Sequence, residues 1–400
     1  MQRMKRRMMC RRPPPLSMVV ASAPGKCILF GEHAVVYGEP AVAVAIDQRV
    51  SIEVETQGIP GDKWKLDGTR LVAGKHPHLV GLRNRLWHNS SDTPSLNISI
   101  DSKIPSAAGL GSSSALSVAF AAALRAARGR RIDSKGWCEG FSNEMSTDPY
   151  SKPRRGIDAG FLRNGGKRLI GKDAIDYDEC AILAHAVEAE VQKGRASPID
   201  SSTVSHGGCT LLSNRIETGL DWRYTRSLET PEGKRNWEVH EIMIPDEDVW
   251  LVIGNTRKYS STSDQVAKVA KLLHDNPDRM NEIQAIGNVT RKGVEALKCG
   301  DMGKVGVCMS ENHLLLRGLG VSSPELENLV KAAAPSSLGV KLTGAGSGGC
   351  MIALTEEPRQ TAEAIELAGG SSLITKIGSP GVKIEDDADL PYWTPGVSES

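Results

Sequence analysis

The feature that most constrains this chain is a glycine–serine stretch between a strand-like and a helix-like run. Residues 103–117 read Lys-Ile-Pro-Ser-Ala-Ala-Gly-Leu-Gly-Ser-Ser-Ser-Ala-Leu-Ser. Residues 96–100 before it alternate as a half-buried strand does. Residues 115–127 after it are nearly all Ala, Leu, Val and Phe, the make-up of a buried helix. Gly109 and Gly111 let backbone amides approach an anion, and a helix start offers unpaired N–H groups with partial positive charge. Together they form a phosphate cradle. Ser112, Ser113 and Ser114 bring hydroxyls that cap the helix or ligate a metal bridging the phosphates. The competing reading is a plain loop before a buried helix. No Gly-Lys-Ser/Thr follows, so this is not a Walker A loop, and the spacing is not that of a dinucleotide fingerprint.

Four hundred residues suit two domains, or three. Aromatic residues make up only 4%, so the core must come from Ala, Val, Leu and Ile, and forty-one glycines point to several tight loops. Net charge is +1, yet residues 1–17 hold six Lys/Arg and no acid, which leaves the remainder net negative. That balance argues against nucleic acid as a partner. The basic tail 1–17 lacks the apolar run of a secretory signal and is expected to be disordered. Eight scattered cysteines without a C-x-x-C pair suggest neither a zinc site nor a disulfide framework. Reduced thiols in a cytoplasmic enzyme follow, and no apolar run approaches the roughly 18 residues of a membrane span.

Along the chain, 18–50 reads as strand (19–21), turn (23–25), strand (26–30), loop and strand. Lys26, Glu32 and His33 then cluster inside an apolar β-region, as a site or as a surface ion pair. Residues 57–95 are polar and poorly periodic. Residues 128–173 carry eleven Lys/Arg and read as a long inserted loop, partly helical near 137–144. Such charge is usually solvated, and a basic binding surface is the alternative. Residues 178–191 have helical spacing, with Glu188 and Glu190 near the end. Pro198 ends that helix and sets a loop presenting Asp200, a carboxylate at a site or a plain turn residue. Residues 213–238 look like a charged connection. A strand at 249–253, a helix capped by 260–263, and helices at 280–297, 303–316 and 325–333 make a second α+β unit. Between strands at 340–342 and 350–354 lies Thr343-Gly344-Ala345-Gly346-Ser347-Gly348-Gly349, a second close-approach loop. A ligand backed by both glycine loops would lie between the domains.

Ala23-Pro24-Gly25-Lys26 with Gly31-Glu32-His33-Ala34-Val35-Val36-Tyr37-Gly38 resembles the first motif of the galactokinase–homoserine kinase–mevalonate kinase–phosphomevalonate kinase (GHMP) superfamily. Residues 105–114 look like its second, phosphate-binding motif and 341–349 like its third. Within the superfamily, Ala196-Ser197-Pro198-Ile199-Asp200, His206-Gly207-Gly208, and Asn312 followed by Gly318-Leu319-Gly320-Val321 are similar to the archaeal-type mevalonate kinases. The resemblance runs from about residue 18 past 354. It implies an α+β fold, with a domain like ribosomal protein S5 domain 2 at 18–228 and a ferredoxin-like domain at 229–400. It also implies ATP and Mg²⁺ as cofactors, and phosphorylation of the primary hydroxyl of mevalonate in isoprenoid biosynthesis. A cytoplasmic homodimer that binds no membrane is expected. Phosphomevalonate kinase or another GHMP kinase is the nearest alternative, and a non-catalytic nucleotide-binding regulator is a more distant one.

The resemblance also implies roles. Asp200 would accept the hydroxyl proton beside Lys26. Pro105, Ala107, Ala108, Gly109, Leu110, Gly111, Ser112, Ser113 and Ser114 would bind ATP. Ser113 and Glu188 would hold the metal, with Glu190 the alternative carboxylate. Glu32, His33 and Thr256 would orient the substrate, and Gly344, Ala345, Gly346, Ser347 and Gly348 would close the site and exclude water. Three departures stand out: Ser347 replaces the usual glycine, the 128–173 insert is long, and one extra residue separates the helix glutamate from Asp200.

Overall fold

Small and apolar side chains fill most positions from Val19 to Phe30. In the computed structural model they form a single strand, β1 (Met18–Phe30), not two strands and a turn. Pro24 has no N–H and Gly25 no Cβ, so the pair marks a register shift against β2 (Ala41–Pro60) rather than a reversal. The structure describes residues 18–60, 64–87, 94–105, 109–132, 167–169, 171–194, 196–230, 233–245, 248–258 and 262–386. The tail 1–17, Ala107 and Ala108, the 137–144 stretch and residues 260 and 261 of the expected 260–263 cap lie outside them.

β2 pairs with β1 on one side and continues on its own length to β5 (Pro94–Ser102) and β8 (Cys209–Ser213). Short strands β3 (Lys65–Leu66) and β4 (Thr69–Arg70) extend the β5 edge. β9 (Asp221–Thr230) and β10 (Gly233–Ile242) form a hairpin that extends the β8 edge. Residues 213–238 are therefore mostly strand. Tyr224, Arg226 and Leu228 alternate inward, and the arginine among them hides the pattern from a hydropathy reading. The domain division expected at 228/229 falls inside β9. The last described strand, β15 (Lys383–Asp386), also returns to pair with β1, so the first sheet draws on both ends of the described chain.

The second sheet has the order β12 (Gly339–Thr343), β13 (Cys350–Thr355), β11 (Trp250–Asn255) and β14 (Ser371–Thr375), all antiparallel. Ile286, Leu316, Leu326 and Ile365 from its helices pack with Leu342 and Met351. Under the first sheet, the helix Ser112–Arg128 is buried on nearly every face, as its run of alanines requires. Residues 57–95 hold a further helix, α1 (Pro77–Leu86). Leu79, Leu82 and Leu86 are its buried stripe, diluted in sequence by His and Arg. Among the described residues the remaining α-helices are α2 (Ser112–Arg128), α3 (Tyr177–Val191), α4 (Ile199–His206), α5 (Thr262–Asp275), α6 (Met280–Lys298), α7 (Met302–Gly318), α8 (Pro324–Ala333) and α9 (Pro358–Leu367).

The ends of the 128–173 segment are not a solvated loop. β6 (Arg130–Ile132) pairs with β7 (Lys167–Leu169). Arg128 is the buried last residue of α2 and donates to the Leu86 carbonyl at 3.0 Å. Arg125 and Arg130 grip the buried Glu179 carboxylate at the start of α3. These cations tie the base of the insert to the helix that carries Glu188. No helix among the described residues is long and apolar enough to cross a membrane.

Candidate active site

Gly109 and Gly111 have φ of 76° and 77°, a region favouring glycine, and Gly111 is the N-cap of α2. Between them Leu110 is buried, and its carbonyl accepts the Lys26 backbone N–H at 2.9 Å, fixing the loop to β1. A Cβ on Gly111 would stand 2.9 Å from Lys26 Cγ, so this glycine makes room for the lysine stem. The Lys26 ammonium, 3% exposed, donates to the Gly109 carbonyl at 3.2 Å and lies 2.9 Å from Asp200 Oδ1, whose side chain is 26% exposed.

Asp200 is not on a loop, as the sequence suggested. Pro198 is the N-cap of α4, and Asp200 lies in the first turn of that helix. Hydroxyls bond back within α4, Ser202 to the Pro198 carbonyl at 2.6 Å and Thr203 to that of Ile199 at 2.7 Å. A helix end carries the carboxylate more rigidly than a loop would.

Glu188 and Glu190 are two positions apart on α3, about 200° around a helix. Glu190 turns to Arg85. Glu188 turns to the cradle, with Oε1 accepting from Gln192 at 3.0 Å and Oε2 lying 3.5 Å from Ser114 Oγ. Burial, and then the nearby Asp200 carboxylate, push Glu188 up to about 8. The α2 hydroxyl at Glu188 therefore belongs to Ser114, not to Ser113, which is exposed. One ammonium faces two carboxyl groups here, and the raised pKa of Glu188 marks a site short of positive charge, which fits a hard divalent cation. Mg²⁺ takes one or two protein oxygens and completes its shell with phosphates and water. Among the described residues no group of three or more His, Cys, Asp or Glu could hold a metal by itself.

The remaining candidates face the second glycine loop. Glu32 is buried, and its carboxylate is taken by the Lys341 ammonium and by Asn312 Nδ2 at 3.1 Å. Both of its oxygens thus have a partner within the protein. His33, at φ 62°, donates from Nε2 to the Ala345 carbonyl at 3.0 Å. Burial lowers its pKa, and its Nδ1 is buried without a partner. Thr256 directs its N–H and its hydroxyl to the Gly349 carbonyl, both at 2.9 Å, at the base of the loop. Ser347 keeps a left-handed φ of 56°; its N–H reaches Val321 O at 2.6 Å and its hydroxyl reaches Gln265 at 2.8 Å. A Cβ on Gly344 would lie 3.5 Å from Gly109 Cα, so the two glycine loops stand against each other.

Family models for the GHMP kinases N terminal domain and the GHMP kinases C terminal match residues 79–146 and 294–371. The mevalonate kinase of Pyrococcus horikoshii is 32% identical, over 92% of this chain and 98% of its own length. That of Archaeoglobus fulgidus is 30% identical, over 92% of this chain and all of its own length. This chain belongs to the mevalonate kinase family. The fold is likewise that of the Methanococcus jannaschii mevalonate kinase (TM-score 0.63, 24% identity, 91% of this chain and 99% of that one). It is shared by the L. major mevalonate kinase in complex with R-mevalonate (TM-score 0.62, 21% identity, 92% and 98%).

Two further buried groups lie beside the residues of this mevalonate kinase family site, and reading the sequence assigned neither a role. Lys341 opens the third motif, on the strand expected at 340–342, and is fully buried. His185, three residues before Glu188, accepts from Arg226 Nε at 2.9 Å and donates to the Ala196 carbonyl at 3.1 Å. It thus fixes the segment leading into α4. Burial, and then Arg226, push it down to about 3, so the ring is neutral. Its spacing from Glu188 was the only signal, and a core histidine shows the same one.

Proposed function

We propose that this chain transfers the γ-phosphoryl group of ATP to the primary hydroxyl of mevalonate, giving 5-phosphomevalonate. The observation that carries the mechanism is the 2.9 Å approach of Lys26 Nζ to Asp200 at the mouth of the phosphate cradle. Phosphoryl transfer asks a protein for aligned oxygens, charge neutralisation and a place for the proton. Asp200, partly exposed beside Lys26, accepts the proton of the mevalonate hydroxyl. Lys26 stabilises the charge that develops on the transferring group. The amides of residues 109–114 and the start of α2 receive the ATP phosphates. Glu188 and Ser114 would hold Mg²⁺, which neutralises phosphate charge when bound. His33 and Thr256, both tied to the second glycine loop, position the acceptor and couple it to closure of that loop, which excludes water.

Coupled ADP release tests the reading, with mevalonate, phosphomevalonate, galactose and homoserine offered in parallel. Turnover should be strong with mevalonate and weak or absent with the others. Preference for phosphomevalonate would move the activity one step along, and ATP binding with no turnover on any acceptor would overturn it.

A further inference from the structure

We propose that Lys341 is a positioning residue for phosphoryl transfer. From inside the second sheet, it holds the end of β1 that carries Lys26 and leads into Glu32 and His33. The inference rests on the kinase reading above.

The Lys341 side chain is 0% exposed. An ammonium has three N–H donors, and here three acceptors meet it: the Leu342 carbonyl at 2.6 Å, the Ile28 carbonyl at 3.3 Å and the Glu32 carboxylate. Two of the three belong to the first unit, although Lys341 lies on β12 of the second. Thr343, two residues on, grips the same point: its hydroxyl accepts from Ile28 N at 3.0 Å and reaches Ile28 O at 3.2 Å. Asn312 of α7 takes the other oxygen of Glu32. One residue past Glu32, His33 reaches Ala345 in the loop that follows β12. Ile28 is in turn two residues along the strand from Lys26.

The turn after β1 needs such a grip. Gly31 at φ 92° and His33 at φ 62° are uncommon backbone states, and for the histidine this one persists where surrounding contacts over-determine it. A buried ion pair is seldom retained for stability alone, because packed apolar side chains serve at least as well. What an apolar residue cannot do is fix the directions of a carbonyl and a carboxylate at once. Burial lowers the pKa of Lys341 and Glu32 opposes that shift, as expected of a cation kept for its partner.

The test compares Lys341→Met, Glu32→Gln and the double variant with the wild type. Lys341→Met alone leaves a buried carboxylate unpaired and can unfold; the double variant leaves none. The double variant should fold and bind an ATP analogue within about threefold of wild type. Its kcat should fall about a hundredfold, the scale of an ångström of misplacement. Its KM for mevalonate should rise about tenfold. The double variant should lose no more than the worse single one, because the two residues act as one unit. A lowered Tm with wild-type kcat and KM overturns the proposal, as do losses that multiply. Amide exchange of residues 26–33 is read on the same proteins without substrate. It should quicken in the variants, and unchanged exchange overturns the proposal whatever the acceptor is. A wild type inactive on mevalonate, with quickened exchange in the variants, would instead fault the kinase reading and leave the grip standing.

Discussion

Two lysines of this chain each meet a carboxylate, and solvent separates what they do. Lys341 and Glu32 are 0% and 1% exposed, and every N–H of the ammonium has an acceptor. Lys26 is also buried, but its partner Asp200 is 26% exposed, and a second carboxylate, Glu188, shares the same cation. The first pair is closed to solvent. The second is open on one side and short of positive charge, so it has room for a hydroxyl, a phosphate and a metal. The same side-chain chemistry becomes a brace or a reaction centre according to which partners remain unfilled.

The largest effect should come from Asp200→Asn. Turnover should fall a thousandfold or more, the upper range for losing a positioned general base, while calorimetric affinity for ATP stays within about threefold. Near-normal turnover would make Lys26–Asp200 a second brace and erase the contrast. Next come Glu188→Gln and Glu190→Gln. The first should raise the Mg²⁺ concentration for half-maximal rate about tenfold or more. The second should leave it unchanged, because Glu190 belongs to Arg85, and should lower stability by about 1 kcal/mol at most. Equal Mg²⁺ curves for both would remove the metal from this carboxylate pair.

The smallest effect at neutral pH concerns a buried polar group that carries no charge. His185 has its native pKa pushed down to about 3 from 6.5. Between those values the unfolded chain binds a proton that the native chain does not. Stability is therefore fully present above 6.5 and is lost as pH falls through the window, with a slope of up to about 1.4 kcal/mol per pH unit. His185→Gln should flatten that part of the curve, measured as urea midpoints from pH 7 to 4. An unchanged slope would mean that His185 does not stay neutral.

Much of the fold was legible because its signals are local. The alanine-rich run fixed α2, and helical spacing fixed α3, α6, α7 and α8 to within a few residues. The glycine loops stood out because only glycine readily takes the φ values found at 109, 111, 344 and 346. The elements that escaped, α1, α4 and the β9–β10 hairpin, place Arg226, His240, Ser202 or Thr203 inward, or spread three leucines among His and Arg. Their apolar faces are too sparse to announce themselves, and Arg226, Ser202 and His240 find partners in His185, Tyr224 and Glu217, well away along the chain.

By itself, the sequence determined that this chain would carry a glycine–serine loop ahead of a buried helix, a lysine from the first motif and an aspartate after Pro198, because residue type and short spacing suffice for those. Only the tertiary structure decided that Glu188 rather than Glu190 meets Asp200, that Ser114 rather than Ser113 lies beside it, and that Glu32 turns to Lys341. Each of those choices is between neighbours of the same chemistry. Helix phase and the partners packed opposite select one face, and neither is encoded within a few residues of the choice.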